Sequence, residues 1–218
     1  GDVYKRQPLY MAAKNGHHFA MLQLLKFDAN VNSASDNHQT PLHIACQNEN
    51  YAVVKVLLTY GADVHYMDKD QNTPLHSTLL EMDEKFFDTG IVDELIRRGS
   101  IVNKKNGNSK TPLSIAAKNG LVSVTRNLLE AGADINLTDN ENNLPLHMAC
   151  QNGHVEIVQE LLKKSNDIDR CNAKEQTPRM LAKKEDLKHL FDSVDVRHGK
   201  TIRLSTVCLG HFNKIYML

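Results

Sequence analysis

The sequence predicts an all-α fold, a solenoid of stacked helical repeats. Two observations carry that prediction. The stretch Thr40-Pro41-Leu42-His43-Ile44-Ala45-Cys46 returns from Thr73, from Thr111 and, with Leu144 for Thr, from Leu144, and worn copies start at Gln7 and Thr177. All six prolines are its second residue, spaced 33, 33, 38, 33 and 33 residues apart. A fixed period near 33 means repeats that stack on their neighbours and share one continuous core. Each copy is also followed by a second apolar stripe at helical spacing, as in Val53, Val54, Leu57 and Leu58.

Residues 1–7 fit no element and read as a non-native or truncated start. Repeat one runs from Pro8, with Leu9, Met11 and Ala12 on a short helix that breaks at Asn15-Gly16. Phe19, Met21, Leu22, Leu24 and Leu25 mark its second helix. In repeat two, Thr40 is a good N-cap, because its hydroxyl accepts a backbone N–H of the first turn. Pro41 at the first helical position loses nothing, since that N–H has no helical partner. Gly61 supplies a left-handed residue at the end of the second helix. Repeat three holds the five-residue excess, placed around Glu81 to Asp88 between its helices. Repeats four (from Thr111) and five (from Leu144) are regular. In repeat six Arg179 replaces the inward leucine and Met180 the histidine, as suits an end cap with nothing stacked beyond it. The repeat domain spans 8–194, with copies beginning near 7, 40, 73, 111, 144 and 177. The tail, 195–218, follows no repeat.

Bulk properties exclude several roles. Lys and Arg together number 26, as do Asp and Glu, so global charge points neither to nucleic acid nor to a membrane surface. No apolar run approaches the ~20 residues of a membrane span. Cys46 and Cys150 share one repeat slot three copies apart, ~30 Å at ~10 Å per stacked element and beyond disulfide reach. The four sparse cysteines read as reduced thiols in an intracellular, cytoplasmic or nuclear, monomer.

These residues resemble the ankyrin repeat. The family pattern is Thr-Pro-Leu-His-x-Ala, an Asn-Gly-His hinge, Val-x-x-Leu-Leu and a Gly-Ala-Asp-Val-Asn exit. The chain shows Asn119-Gly120 and Asn152-Gly153-His154 at the hinge, and Gly61-Ala62-Asp63-Val64 and Gly132-Ala133-Asp134-Ile135-Asn136 at the exit. The resemblance covers roughly Pro8 to Val194. It implies antiparallel helix pairs joined by projecting β-hairpin loops, with protein partners bound by the hairpin tips and the inner helices. One departure stands out. The family usually has Gly two residues before the Thr, whereas this chain has His38, Gln71, Ser109, Asn142 and Glu175. If that slot needs positive φ, only Asn142 fills it cheaply, which predicts less regular hairpins.

No set of residues reads as chemistry. His43, His76 and His147 sit one per repeat, ~10 Å apart at the nearest, whereas a zinc site gathers its ligands ~2 Å from one ion. They read as structural histidines bonded to the adjacent loop. Cys208-x-x-His211, with His198, has no partner pair, and the acidic insert lacks calcium-loop spacing. No phosphate-binding loop, nucleophile elbow or metalloprotease helix is present. The resemblance also places Asn32, Asn103 and Asn136 at a slot hydroxylated in some ankyrin proteins; the favoured reading is Asn bonded to hairpin backbone. The chain thus reads as non-enzymatic, with no cofactor and no metal.

Function falls to the variable polar residues at the tips and first-helix ends. They are Gln47, Asn48, Lys69, Asp70, Asn72, Asn108, Lys110, Lys118, Asn119, Asn140, Glu141, Asn143, Gln151 and Asn152, with Tyr66 and Met67 as apolar anchors. The expected role is a scaffold for a protein or peptide partner, with no nucleic acid and no membrane insertion. The competing role is the recognition segment of a larger protein, such as a ubiquitin-ligase adaptor, a channel or a kinase.

Overall fold

The computed structural model describes residues 3–82, 89–165 and 168–197, with side chains from 8 to 193. Among them lie twelve helices in six pairs and no strand. In chain order the pairs are α1 (Val3–Lys14) with α2 (His18–Lys26), α3 (Pro41–Gln47) with α4 (Tyr51–Thr59), and α5 (Pro74–Glu81) with α6 (Gly90–Arg97). Then come α7 (Pro112–Asn119) with α8 (Val122–Glu130), α9 (Pro145–Asn152) with α10 (Val155–Lys164), and α11 (Pro178–Leu181) with α12 (Glu185–Arg197). The odd helices stack in one row from α1 to α11, and the even helices form a second row behind them.

The recurrent stretch builds the first row. Thr40, Thr73, Thr111 and Thr177 have extended N-cap backbones with ψ of 165, 167, 160 and 160°, and each is followed by proline at the first helical position. The Thr40 hydroxyl accepts the His43 N–H at 3.4 Å, and the Thr111 hydroxyl accepts the Ser114 N–H at 3.2 Å. Leu42, Leu75 and Leu113 are fully buried, as are Leu57, Leu95, Leu128 and Ile157 of the second row. Each such side chain contributes roughly 1.5–3 kcal/mol, so neighbouring repeats supply most of each other's stability.

Three expectations need correction. The first helix begins at Val3 and not at Pro8. Gln7 stands in the slot of Thr40, Thr73, Thr111, Leu144 and Thr177, and here the helix runs through Pro8 without the bond that residue 8 would donate. The hairpins are not strand pairs but tight turns, each closed by two backbone bonds, as from Asp68 N–H to the Asn72 carbonyl at 3.0 Å and from Gln71 N–H to the Asp68 carbonyl at 3.0 Å. Nor are they irregular. His38, Gln71, Ser109, Asn142 and Glu175 all take φ between 55 and 59°. The slot does require a left-handed residue, and side chains other than glycine are held in it.

Cys46 and Cys150 are buried and free. Burial pushes both thiols up to about 12. Cys171 is disulfide-bonded, against the expectation of a reduced thiol. Phe86 and Phe87 with the rest of 83–88 of the acidic insert, and the 198–218 tail with His198, Cys208 and His211, lie outside the described residues. Among the described residues no helix is long and apolar enough to cross a membrane, and no three His, Cys, Asp or Glu side chains converge to hold a metal.

Candidate functional site: the tips and the first helical row

The tips and the first-row helices form one continuous face, and the histidines fasten it. His43 Nδ1 accepts the Thr40 N–H at 3.2 Å, while Nε2 meets the Asn72 carbonyl of the next tip at 3.0 Å. A ring nitrogen that accepts an N–H is unprotonated, so the proton is on Nε2 and donates onward. His76 repeats this to the Lys110 carbonyl (3.1 Å) and His147 to the Gln176 carbonyl (3.0 Å). Burial lowers the pKa of all three rings, that of His76 to about 4. They are neutral structural pins, as the one-per-repeat spacing implied.

A second link is a carboxamide ladder. Asp68 uses one oxygen for the N–H groups of Asp70 and Asn72 and the other for the Asn72 carboxamide. Asn72 then accepts from the Asn106 carboxamide at 2.8 Å. Asp139, Asn143 and Asn172 repeat the arrangement. Asn72 and Asn143, expected on the binding face, are therefore removed from it. They are 7% and 5% exposed, and their polar atoms are spent inside the scaffold.

The other expected residues divide by what holds them. Asn48 and Asn119 donate to first-row carbonyls one repeat back, those of Lys14 (2.7 Å) and Leu79 (2.9 Å), and Asn152 donates to Met148 of its own helix. Tyr66 is half-buried with its ring edge-on to His43, centroids 6.3 Å apart. Glu141 is paired with Lys174 at 2.7 Å. Met67, Lys69, Asp70, Asn108, Lys118, Asn140 and Gln151 are exposed, and Gln47 and Lys110 are half-buried. Asn32 and Asn103 accept the backbone N–H groups of Asp63 and Asp134, each at 2.8 Å, so both are structural asparagines.

Leu80 was not among the expected residues. It is 42% exposed on α5, in the slot that holds Gln47 on α3, Lys118 on α7 and Gln151 on α9. That row of four side chains crosses the middle of the face. An open cleft of about 380 Å³ lies elsewhere, in the second row between α6 and α8. In it Asp93 accepts from Thr89 at 2.8 Å and from Asn127 at 2.5 Å, and Arg97 is paired with Glu94.

The family model for ankyrin repeats (3 copies) matches residues 2–68, 60–139, 84–172 and 120–200, nearly the whole chain. The chain belongs to the ankyrin-repeat family. No curated protein matches it. Ankyrin repeats are in general protein-interaction modules, and in this ankyrin array the recurrent residues are consumed in the scaffold while the variable ones face outward.

Proposed function

We propose that this ankyrin array is a non-enzymatic scaffold that binds a partner protein or peptide across its tips and first-row helices. The observation that carries the reading is the contrast within each repeat. In repeats two to five the residues in the slots of Thr40, Leu42 and His43 are buried, whereas one slot of α3, α5, α7 and α9 offers an exposed or half-exposed side chain: Gln47, Leu80, Lys118 and Gln151. A rigid surface with interchangeable side chains suits recognition, because little conformational freedom is lost on binding.

The test is selection from a displayed library of random peptides against the full chain, repeated with two variants. One carries Leu80→Arg and Gln151→Arg on the tip face. The other carries Lys55→Glu and Glu130→Lys on exposed second-row positions. Binders that survive the second variant and fail on the first support the proposal. Binders lost only on the second place recognition on the opposite side and overturn it.

A further inference from the structure

Repeat four differs from its neighbours in two ways, and both fall on the same part of the face. The first is charge. Lys104, Lys105, Lys110 and Lys118 all lie on its tip or first helix. None of the four is ion-paired among the described residues. The repeat register also brings two of them together. Gln39 Nε2 reaches Gln47 Oε1 at 3.5 Å in repeat two, and Lys110 and Lys118 occupy those slots in repeat four. Two ammonium groups in neighbouring slots repel, and an anion between them removes the penalty. None of the nearby carboxylates forms an ion pair with these lysines among the described residues. Asp68 and Asp139 accept neutral donors of their own turns and keep their charge, and Glu141 is held by Lys174. Asp70 is exposed on the adjoining tip, and its carboxylate makes no ion pair among the described residues.

The second difference is a seam. Elsewhere a backbone bond joins successive tips: Lys69 N–H to Asn37, Gly107 N–H to Asp70, Ala173 N–H to Glu141. No such bond joins 106–110 to 139–143 among the described residues. The carboxamide ladder stops there as well: Lys110 stands in the slot of Asn72 and Asn143, Asp139 in that of Asn106 and Asn172, and no side-chain bond joins the two among the described residues. The histidine pin is missing too: Ser114 stands in its slot and bonds back to the Thr111 carbonyl at 2.9 Å. What remains between these tips is Lys105 Nζ to the Thr138 carbonyl at 2.5 Å.

We infer that an extended acidic peptide segment of the partner binds at this seam, its carboxylates on Lys110 and Lys118 and an apolar side chain on Leu80. This rests on the scaffold reading above and adds the chemistry of the occupant. Charge complementarity selects an acidic partner. Exposed Leu80, one repeat before Lys118, selects a peptide over a polynucleotide, because the row of Gln47, Leu80, Lys118 and Gln151 offers no aromatic ring for bases to stack on.

The test uses the same displayed library on the full chain, followed by fluorescence anisotropy with the best synthetic peptide. The expected result is enrichment of Asp and Glu around one apolar residue. Lys118→Glu weakens that peptide roughly tenfold or more, and Lys118→Met, which keeps the stem, weakens it too, as does raising the salt. Circular dichroism establishes that both variants are folded. Enriched peptides that are neutral or basic overturn the acidic inference and leave the scaffold reading standing. An array that selects no peptide overturns both. Binding of a labelled single-stranded RNA that depends on Lys118, with no acidic peptide enriched, overturns the inference in favour of nucleic acid.

Discussion

His43 sits 3.0 Å from the carbonyl of Asn72, twenty-nine residues further along the chain, and this bond pins one repeat's helix to the next repeat's tip. It requires a neutral ring with its proton on Nε2, and burial supplies the neutrality.

Stability is therefore expected to fall on mild acidification. The unfolded chain takes up protons near pH 6.5, whereas buried His76 resists until about 4. Its contribution is complete above pH 6.5 and is lost as pH falls toward 4, worth ~3 kcal/mol at the limit for this residue. Urea denaturation at pH 7 and pH 5 measures the drop, and His76→Gln flattens it.

Installing the missing pin strengthens the seam. Ser114→His places an imidazole in the slot from which His76 and His147 reach the next tip, here the Asn143 carbonyl. A gain of about 1 kcal/mol is expected, the usual net worth of one such bond. Thermal denaturation of the variant reads it directly.

Turn positions carry removable strain. Gln71 and Glu175 hold φ of 59 and 58°. Glycine at either position relieves the left-handed cost and is expected to stabilise by ~1 kcal/mol. Asn142→Gly changes less, because Asn tolerates that region. Gly107 runs the other way: a Cβ there would lie 2.8 Å from the Asp70 carbonyl oxygen. Gly107→Ala must push two tips apart and costs ~1–3 kcal/mol in the same assay.

Thr125 is fully buried on α8, and its hydroxyl has no partner among the described residues. Replacing it by valine keeps the shape and removes an unsatisfied polar atom. Thr125→Val is expected to raise stability by ~1 kcal/mol in urea denaturation.

Much of this was legible in the sequence because it is written locally and repeated. Thr-Pro marks each first helix, and one histidine per repeat marks a pin and not a metal site. What escaped depended on relations across positions. Asn72 and Asn143 look like polar tip residues until Asp68 and Asp139, four residues earlier, are seen to hold them. Leu80 looks like core within Pro74-Leu75-His76-Ser77-Thr78-Leu79-Leu80. Only its slot equivalence with Gln47, Lys118 and Gln151 shows that it is exposed. The early start of α1 has no signal in the cap slot, because Leu144 lacks a hydroxyl as Gln7 does and α9 still begins at Pro145.

The central claim is that recognition belongs to the face built by the tips and the first helical row. Amide hydrogen exchange of the full chain, with and without its best selected peptide, tests it most directly. Added protection is expected in α5, α7, α9 and the 106–110 and 139–143 tips, with α4, α8 and α10 unchanged. Protection confined to those second-row helices would contradict it.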